Sequence, residues 1–79
     1  MPSIRVNHIR LVVYPNDHPP PHAHAHALGP GWEIRIELTQ PPTLMTVAGK
    51  AKVSDVAAAL IATSDRLAEL RTIWSDLHD

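Results

Sequence analysis

Histidine side chains are concentrated in one short stretch of this chain, residues 16–26, which reads Asn-Asp-His-Pro-Pro-Pro-His-Ala-His-Ala-His. Four of the six histidines lie in it, beside Asp17 and three consecutive prolines. Histidine is the commonest metal ligand in proteins and the side chain that most readily exchanges a proton near neutral pH. The stretch therefore predicts a metal site or an acid–base site.

The last three of these histidines, His22, His24 and His26, alternate with alanines. In an extended strand, side chains two residues apart project from one face, and their Cα atoms lie roughly 7 Å apart, a distance that two imidazoles can close on one ion. His22 and His26 are about twice as far apart, so a straight strand supplies only two ligands. We therefore expect His22 and His24 to bind a metal together, with His26 contributing less.

Further ligands have to come from outside this strand, and Asp17 and His18 are the nearest candidates. A polyproline II spacer would hold His18 roughly 12 Å from His22, so a turn is required to bring the two together. The predicted metal set is Asp17, His18, His22 and His24, and zinc is the expected ion because it accepts imidazole and carboxylate ligands. The alternative is a rigid loop whose side chains hydrogen-bond backbone groups around the prolines.

Alternation of apolar and polar residues predicts an antiparallel sheet that positions this stretch. Strands are expected over residues 4–14, 22–28 and 32–39, and residues 43–48 are the option for a fourth. From residue 53 to 77 the chain has neither glycine nor proline and follows helical spacing. This pattern predicts one long C-terminal helix. The predicted fold class is α+β, with the sheet packed by that helix.

Pairing the strands by their apolar positions places two sets of residues on opposite faces of the sheet. The face under the helix carries aliphatic side chains: Ile9, Leu11, Val13, Ala23, Ala25, Ala27, Ile34 and Ile36. The other face carries the histidines with polar and charged side chains: Arg10, Tyr14, His22, His24, His26, Glu33, Arg35 and Glu37. We expect the second face to be the functional surface, with Asp17 and His18 at its rim.

Length and composition bound the class of protein. The chain has 79 residues, which predicts a single domain over 1–79 with a small core. It has no cysteine, which excludes disulfides and thiolate zinc sites. No apolar run has the length of a membrane span or a signal peptide, so a soluble cytoplasmic protein is expected. The formal net charge of −1 provides no global attraction to nucleic acid.

The length of the predicted helix favours self-association. A helix of about 25 residues would be roughly 37 Å long, which is more than one small sheet can cover. It either breaks near residues 63–65 or packs its end on another subunit. Leu70 and Ile73 lie off the main apolar stripe and favour the second option, so a homodimer is expected.

The proline-rich loop also carries a family resemblance. Residues 17–22 read Asp-His-Pro-Pro-Pro-His and are followed by His24, which resembles the motif of an uncharacterised family of small bacterial proteins, domain of unknown function 4160. The order of strands and C-terminal helix is similar, and Trp74 also fits, whereas His26 departs from the usual pattern. The resemblance implies a place in a toxin–antitoxin-like gene pair, beside another small protein, and implies no established chemistry.

Three classes of function stay open on these grounds. The first is a binding or regulatory protein of such a gene pair, with a metal-capable histidine site. The second is a phosphodiesterase, such as a ribonuclease toxin, that uses metal-bound water or histidine acid–base chemistry. The third is a metal-binding protein without turnover. The absence of a basic stripe and of a glycine-rich phosphate loop weakens the enzymatic interpretation, so the sequence favours the binding protein.

Overall fold

The computed structural model describes residues 3–14 and 23–78. In that part of the chain, five strands form one antiparallel sheet in sequence order, and two helices follow. The elements are β1 Ser3–Val6, β2 Ile9–Val12, β3 His24–Gly29, β4 Trp32–Glu37, β5 Thr43–Gly49, α1 Val53–Asp65 and α2 Leu67–His78. The α+β class is confirmed. The predicted numbers of elements, three to four strands and one long helix, are both wrong. Neither described helix is long and apolar enough to cross a membrane.

The single first strand expected over residues 4–14 is a hairpin. β1 pairs with β2 up to Val6 opposite Ile9, and Asn7 and His8 form the connection between them. Asn7 has a φ of 56°, in the left-handed region that asparagine tolerates better than most residues. The apolar run looked continuous because this turn contains neither glycine nor proline.

The predicted register of the central strands is confirmed. Leu11 on β2 pairs with Ala27 on β3, and Ala27 and Ala25 pair with Ile34 and Ile36 on β4. All five side chains are buried in the core. α1 packs against β2 and β4, over the row of alanines between them, where the lack of long side chains lets the helix approach closely. The aliphatic face is therefore the core face, as expected.

The turn between β3 and β4 follows the Gly-Pro-Gly signal at residues 29–31. Gly31 has a φ of 76°, which favours glycine. Gly29 pairs with Trp32, and the indole ring lies over it, so that a Cβ on Gly29 would clash with the ring. The ring thus occupies the space of a side chain at position 29, which fixes the end of the β3–β4 hairpin.

The helix expected over residues 53–77 is divided at Arg66. This residue has φ −116° and ψ 20°, and its N–H is shared between the carbonyls of Ala62 and Thr63. The Thr63 hydroxyl donates to the carbonyl of Ala59 at 2.8 Å, and hydroxyls bonded back to a helix carbonyl in this way often bend helices. The break directly follows residues 63–65, where the sequence analysis allowed one as the alternative to packing on another subunit.

α2 lies at the end of the sheet rather than extending beyond it. The Arg71 guanidinium donates from Nε to the carbonyl of Leu38, directly after β4, at 2.9 Å. Leu70 is 0% exposed within the core, and Ile73 is half-buried against it. These two apolar residues were the grounds for predicting a dimer, and their packing within one chain removes that argument.

Candidate functional site

Most of the predicted metal set falls in the part of the chain that the structure does not describe. Asp17, His18 and His22 lie outside the described residues. His24 is described, and so is His26, to which the spacing argument gave the smaller role. The geometry of the site is therefore described from the two histidines on β3.

His24 and His26 project from the face of β3 opposite to the alanines, as predicted. We call this side of the sheet the histidine face, and its members are Arg10, Tyr14, His24, His26, Glu33, Arg35 and Glu37. The two imidazole centroids are 5.5 Å apart, with an angle of 59° between the ring planes. Two imidazoles on one tetrahedral zinc ion have centroids about 5 Å apart, because each metal–nitrogen bond is about 2.0–2.1 Å. The spacing of the rings suits a shared ion.

Both histidines are buried, although the sequence predicted an open polar surface. His24 is 3% exposed and His26 is 4% exposed. The Trp74 ring lies 5.0 Å from the His24 ring, and the Tyr14 ring meets His26 edge-on at 4.7 Å and 79°. The first contact follows from the position of α2, which lies at the end of the sheet and brings Trp74 against His24. Trp74 also packs against the core, and the sequence did not place it at this site.

Carboxylates from β4 flank both histidines. Glu37 is the direct cross-strand neighbour of His24, while Glu33 is diagonal to His26, which pairs with Arg35. Oε2 of Glu33 lies 2.7 Å from Nδ1 of His26. An ionised carboxylate can only accept, so Nδ1 donates in this contact and Nε2 is the ring nitrogen that faces away from Glu33. This carboxylate–imidazole contact is typical of the outer shell of metal sites.

Arginines stand on the same face around His26. Arg35 lies directly opposite His26, and its Nε is buried without a hydrogen-bond acceptor among the described residues. Arg10 is exposed on β2, directly opposite Arg5 of β1. Like charges directly opposite each other destabilise a sheet unless something compensates them. The sequence missed Arg5, since it belongs to this face only because residues 4–14 fold back as a hairpin.

Of the predicted metal ligands, the described residues include only His24, together with His26. Within residues 3–14 and 23–78, no group of three or more histidine, cysteine, aspartate or glutamate side chains is arranged to hold an ion. Two imidazoles alone do not fill the coordination of zinc, which takes four ligands in structural sites and three protein ligands in catalytic ones. Asp17, His18 and His22 thus stay predictions as the remaining ligands.

Comparison with known proteins gives this chain no relative. No protein-family model, curated protein or solved structure matches it. The resemblance of residues 17–24 to a small bacterial family stays a prediction, and the function has to be inferred from the chemistry of the histidine face.

Proposed function

We propose that this protein is a small regulatory binding protein that holds a divalent transition metal through His24 and His26. The observation that supports it is the pair of buried rings 5.5 Å apart, one of which Glu33 holds through Nδ1. A carboxylate on the far nitrogen orients an imidazole and makes it a better donor to a metal. Zinc is the expected ion, because it accepts imidazole nitrogen without a redox change.

The remaining ligands in this proposal come from the proline-rich loop. His22 precedes His24 by two residues, and Asp17 and His18 lie a few residues further back in the sequence. One or two of these side chains would bring the coordination to three or four protein ligands. His26 has a larger role in this proposal than the spacing argument gave it, because the Glu33 contact prepares its ring.

Burial supports binding over turnover. A nuclease has to bring its acid and base to a phosphodiester, whereas His24 and His26 are 3% and 4% exposed. Tyr14 and Trp74 pack on these rings and keep water from them. An ion held there would stabilise the end of the sheet and the helix beside it. Metal binding would then control the shape of a surface that another molecule recognises.

The partner and the location in this proposal come from the resemblance of the proline-rich loop to a bacterial family. A toxin–antitoxin-like gene pair supplies a second small protein as the partner, and both would act in the cytoplasm. We include a homodimer in the proposal, although Leu70 and Ile73 no longer argue for it. Two exposed apolar residues on β5, Leu44 and Val47, are the new grounds for it.

Zinc titration calorimetry on protein purified without a histidine tag tests the proposal. Wild type should bind one zinc ion per chain, and His24→Ala and His26→Ala should each weaken binding by at least about tenfold, because each loses a ligand. His8→Ala is the matched control, since His8 is exposed in the β1–β2 turn. A wild type without affinity for zinc, or ligand variants that bind like the control, would reject the metal site.

A histidine acid–base phosphodiesterase is the second candidate, and the arginines favour it. Arg35 and Arg10 stand beside His26 on the histidine face, and guanidinium groups stabilise the charge on a transferring phosphoryl group. Glu33 would orient His26, whose Nε2 would move the proton. Cleavage of a labelled RNA in the presence of a chelator, lost in His26→Ala, would favour this activity. Intact RNA under these conditions would eliminate the metal-free form of it.

A further inference from the structure

β5 is an edge strand that lacks the usual protection. It has seven residues, Thr43–Gly49, with the sequence TLMTVAG, and it contains neither a charged residue nor a proline. Exposed edges present unpaired backbone groups to other chains, and natural proteins protect them with charge, proline or a short strand. The opposite edge, β1, has only four residues and carries Arg5. The two edges thus differ in their readiness to accept another strand.

The core face of the sheet is uncovered at β5. Leu44 pairs with Ile36 and Val47 pairs with Ile34, so Leu44 and Val47 lie on the same side of the sheet as the core. A bulge between these pairs keeps both on that side. They are nevertheless 42% and 44% exposed, because α1 packs over β2 and β4 instead. An apolar strip continuous with the core therefore lies open beside a strand edge that has no partner strand among the described residues.

We infer that two copies of this chain associate through β5, antiparallel and edge to edge, so that their five-stranded sheets join into one. This inference names the surface of the homodimer proposed above. A two-fold axis across β5 pairs the backbone groups of one copy with those of the other. It also places Leu44 and Val47 of each copy beside the same strip of its partner.

The chemistry of β5 favours a second copy over a different partner. Because the strand is uncharged, self-pairing brings no like charges together, whereas a charged partner finds no opposite charge on the strand to recognise. Hydrogen bonding between backbones is self-complementary in an antiparallel pair. The lysines that follow, Lys50 and Lys52, lie beyond the end of the strand.

Sedimentation equilibrium of wild type, Val47→Lys and Ile61→Lys tests this surface. Wild type should be dimeric at high micromolar concentration, and Val47→Lys should raise the dimer dissociation constant by at least about tenfold, since two like charges would meet on the shared strip. Ile61→Lys is the matched control, because Ile61 is 61% exposed on α1, away from β5. Circular dichroism should show that both variants fold, as both positions are exposed.

Hydrogen exchange supplies a second readout on the wild type. Amides of β5 should become better protected as protein concentration rises, and amides of β1 should not change. A dimer that Val47→Lys leaves intact, or protection that rises at β1 instead, would overturn the assignment to β5 and leave the homodimer standing. A monomer at every concentration would overturn both, while zinc affinity would still decide the metal site separately.

Discussion

Two contacts hold the His26 ring on different sides. Glu33 accepts a hydrogen bond from Nδ1 at 2.7 Å, and Tyr14 meets the ring edge-on at 4.7 Å. Side chains fixed in this way lose little rotational freedom when they bind a ligand. The hydrogen bond turns Nδ1 toward Glu33, and the aromatic contact packs Tyr14 against the ring. The chemistry proposed for the histidine face depends on both.

Glu33→Ala tests the outer-shell role of the carboxylate. Zinc affinity should fall by about 10- to 100-fold, the usual effect of removing an outer-shell partner of a metal-bound histidine. Calorimetric titration of Glu33→Ala beside Glu69→Ala measures it, since the Glu69 side chain is 56% exposed on α2, where it pairs with Arg66. Equal affinity in the two variants would remove Glu33 from the site.

The conformation of Asn7 explains why a two-residue turn can join β1 and β2. Its φ of 56° lies where side chains branched at Cβ clash with the backbone. Asn7→Val should therefore lower the free energy of unfolding by about 1–2 kcal/mol, whereas Asn7→Gly should change it by much less. Urea denaturation of the two variants separates these outcomes. A valine variant as stable as the glycine variant would mean that the turn adopts another conformation in solution.

Among the elements, the central strands could be predicted and their neighbours could not. Ala25 and Ala27 alternate with histidines, which predicted that one face of β3 belongs to the core. The alternation of Ile34 and Ile36 predicted which face of β4 lies beside those alanines. The β1–β2 turn was missed because it contains neither glycine nor proline, and for the same reason a helix break near residues 63–65 was only one of two options. A two-residue turn at Asn7 and a shared hydrogen bond at Arg66 become visible only when the neighbouring elements have been packed.

The same limit applies to the histidine face. The alternation in residues 22–26 was sufficient to place His24 and His26 on one side of the sheet. Trp74, which packs on the His24 ring, lies 50 residues away in the sequence, and Tyr14, which packs on His26, comes from the far side of the undescribed loop. The hydrogen bond between His26 and Glu33 depends on the register of β3 and β4, which places the two side chains diagonally across the strands. Such contacts join residues that are distant in the sequence, so a local sequence pattern cannot predict them.

Leu70→Ala tests whether α2 belongs to the core of a single chain. Leu70 is 0% exposed, and truncating a buried leucine typically costs about 2–5 kcal/mol through lost burial and the cavity left behind. Ile61→Ala is the control, because its side chain is largely exposed and its loss should cost far less. Denaturant unfolding of both proteins measures the difference. If Leu70→Ala were as mild as the control, α2 would not be docked as described.

At the scale of the whole molecule, the end of the sheet where the histidines lie is also where α2 meets the strands. The chain has no disulfide, and a domain of 79 residues buries a small core. α2 is joined to this end by the Arg71 bond to Leu38, by Leu70 and by the contact of Trp74 with His24. An ion bound by His24 and His26 would fix the His24 ring, which contacts Trp74 of the last helix. Metal binding and folding should therefore be coupled.

Zinc should raise the thermal stability of the protein through the two histidines. At a free zinc concentration of 100 times the dissociation constant, a ligand that binds only the folded state adds about 2.7 kcal/mol, which in a domain of this size raises the melting temperature by roughly 10 °C or more. His24→Ala and His26→Ala should each lose most of this increase, and His8→Ala should keep it. Acidification should reduce the increase in wild type, because protons compete with zinc for the imidazole nitrogens. Calorimetric melting of the four proteins, with zinc and with a chelator, measures these shifts, and an increase of equal size in all four would place the ion elsewhere in the chain.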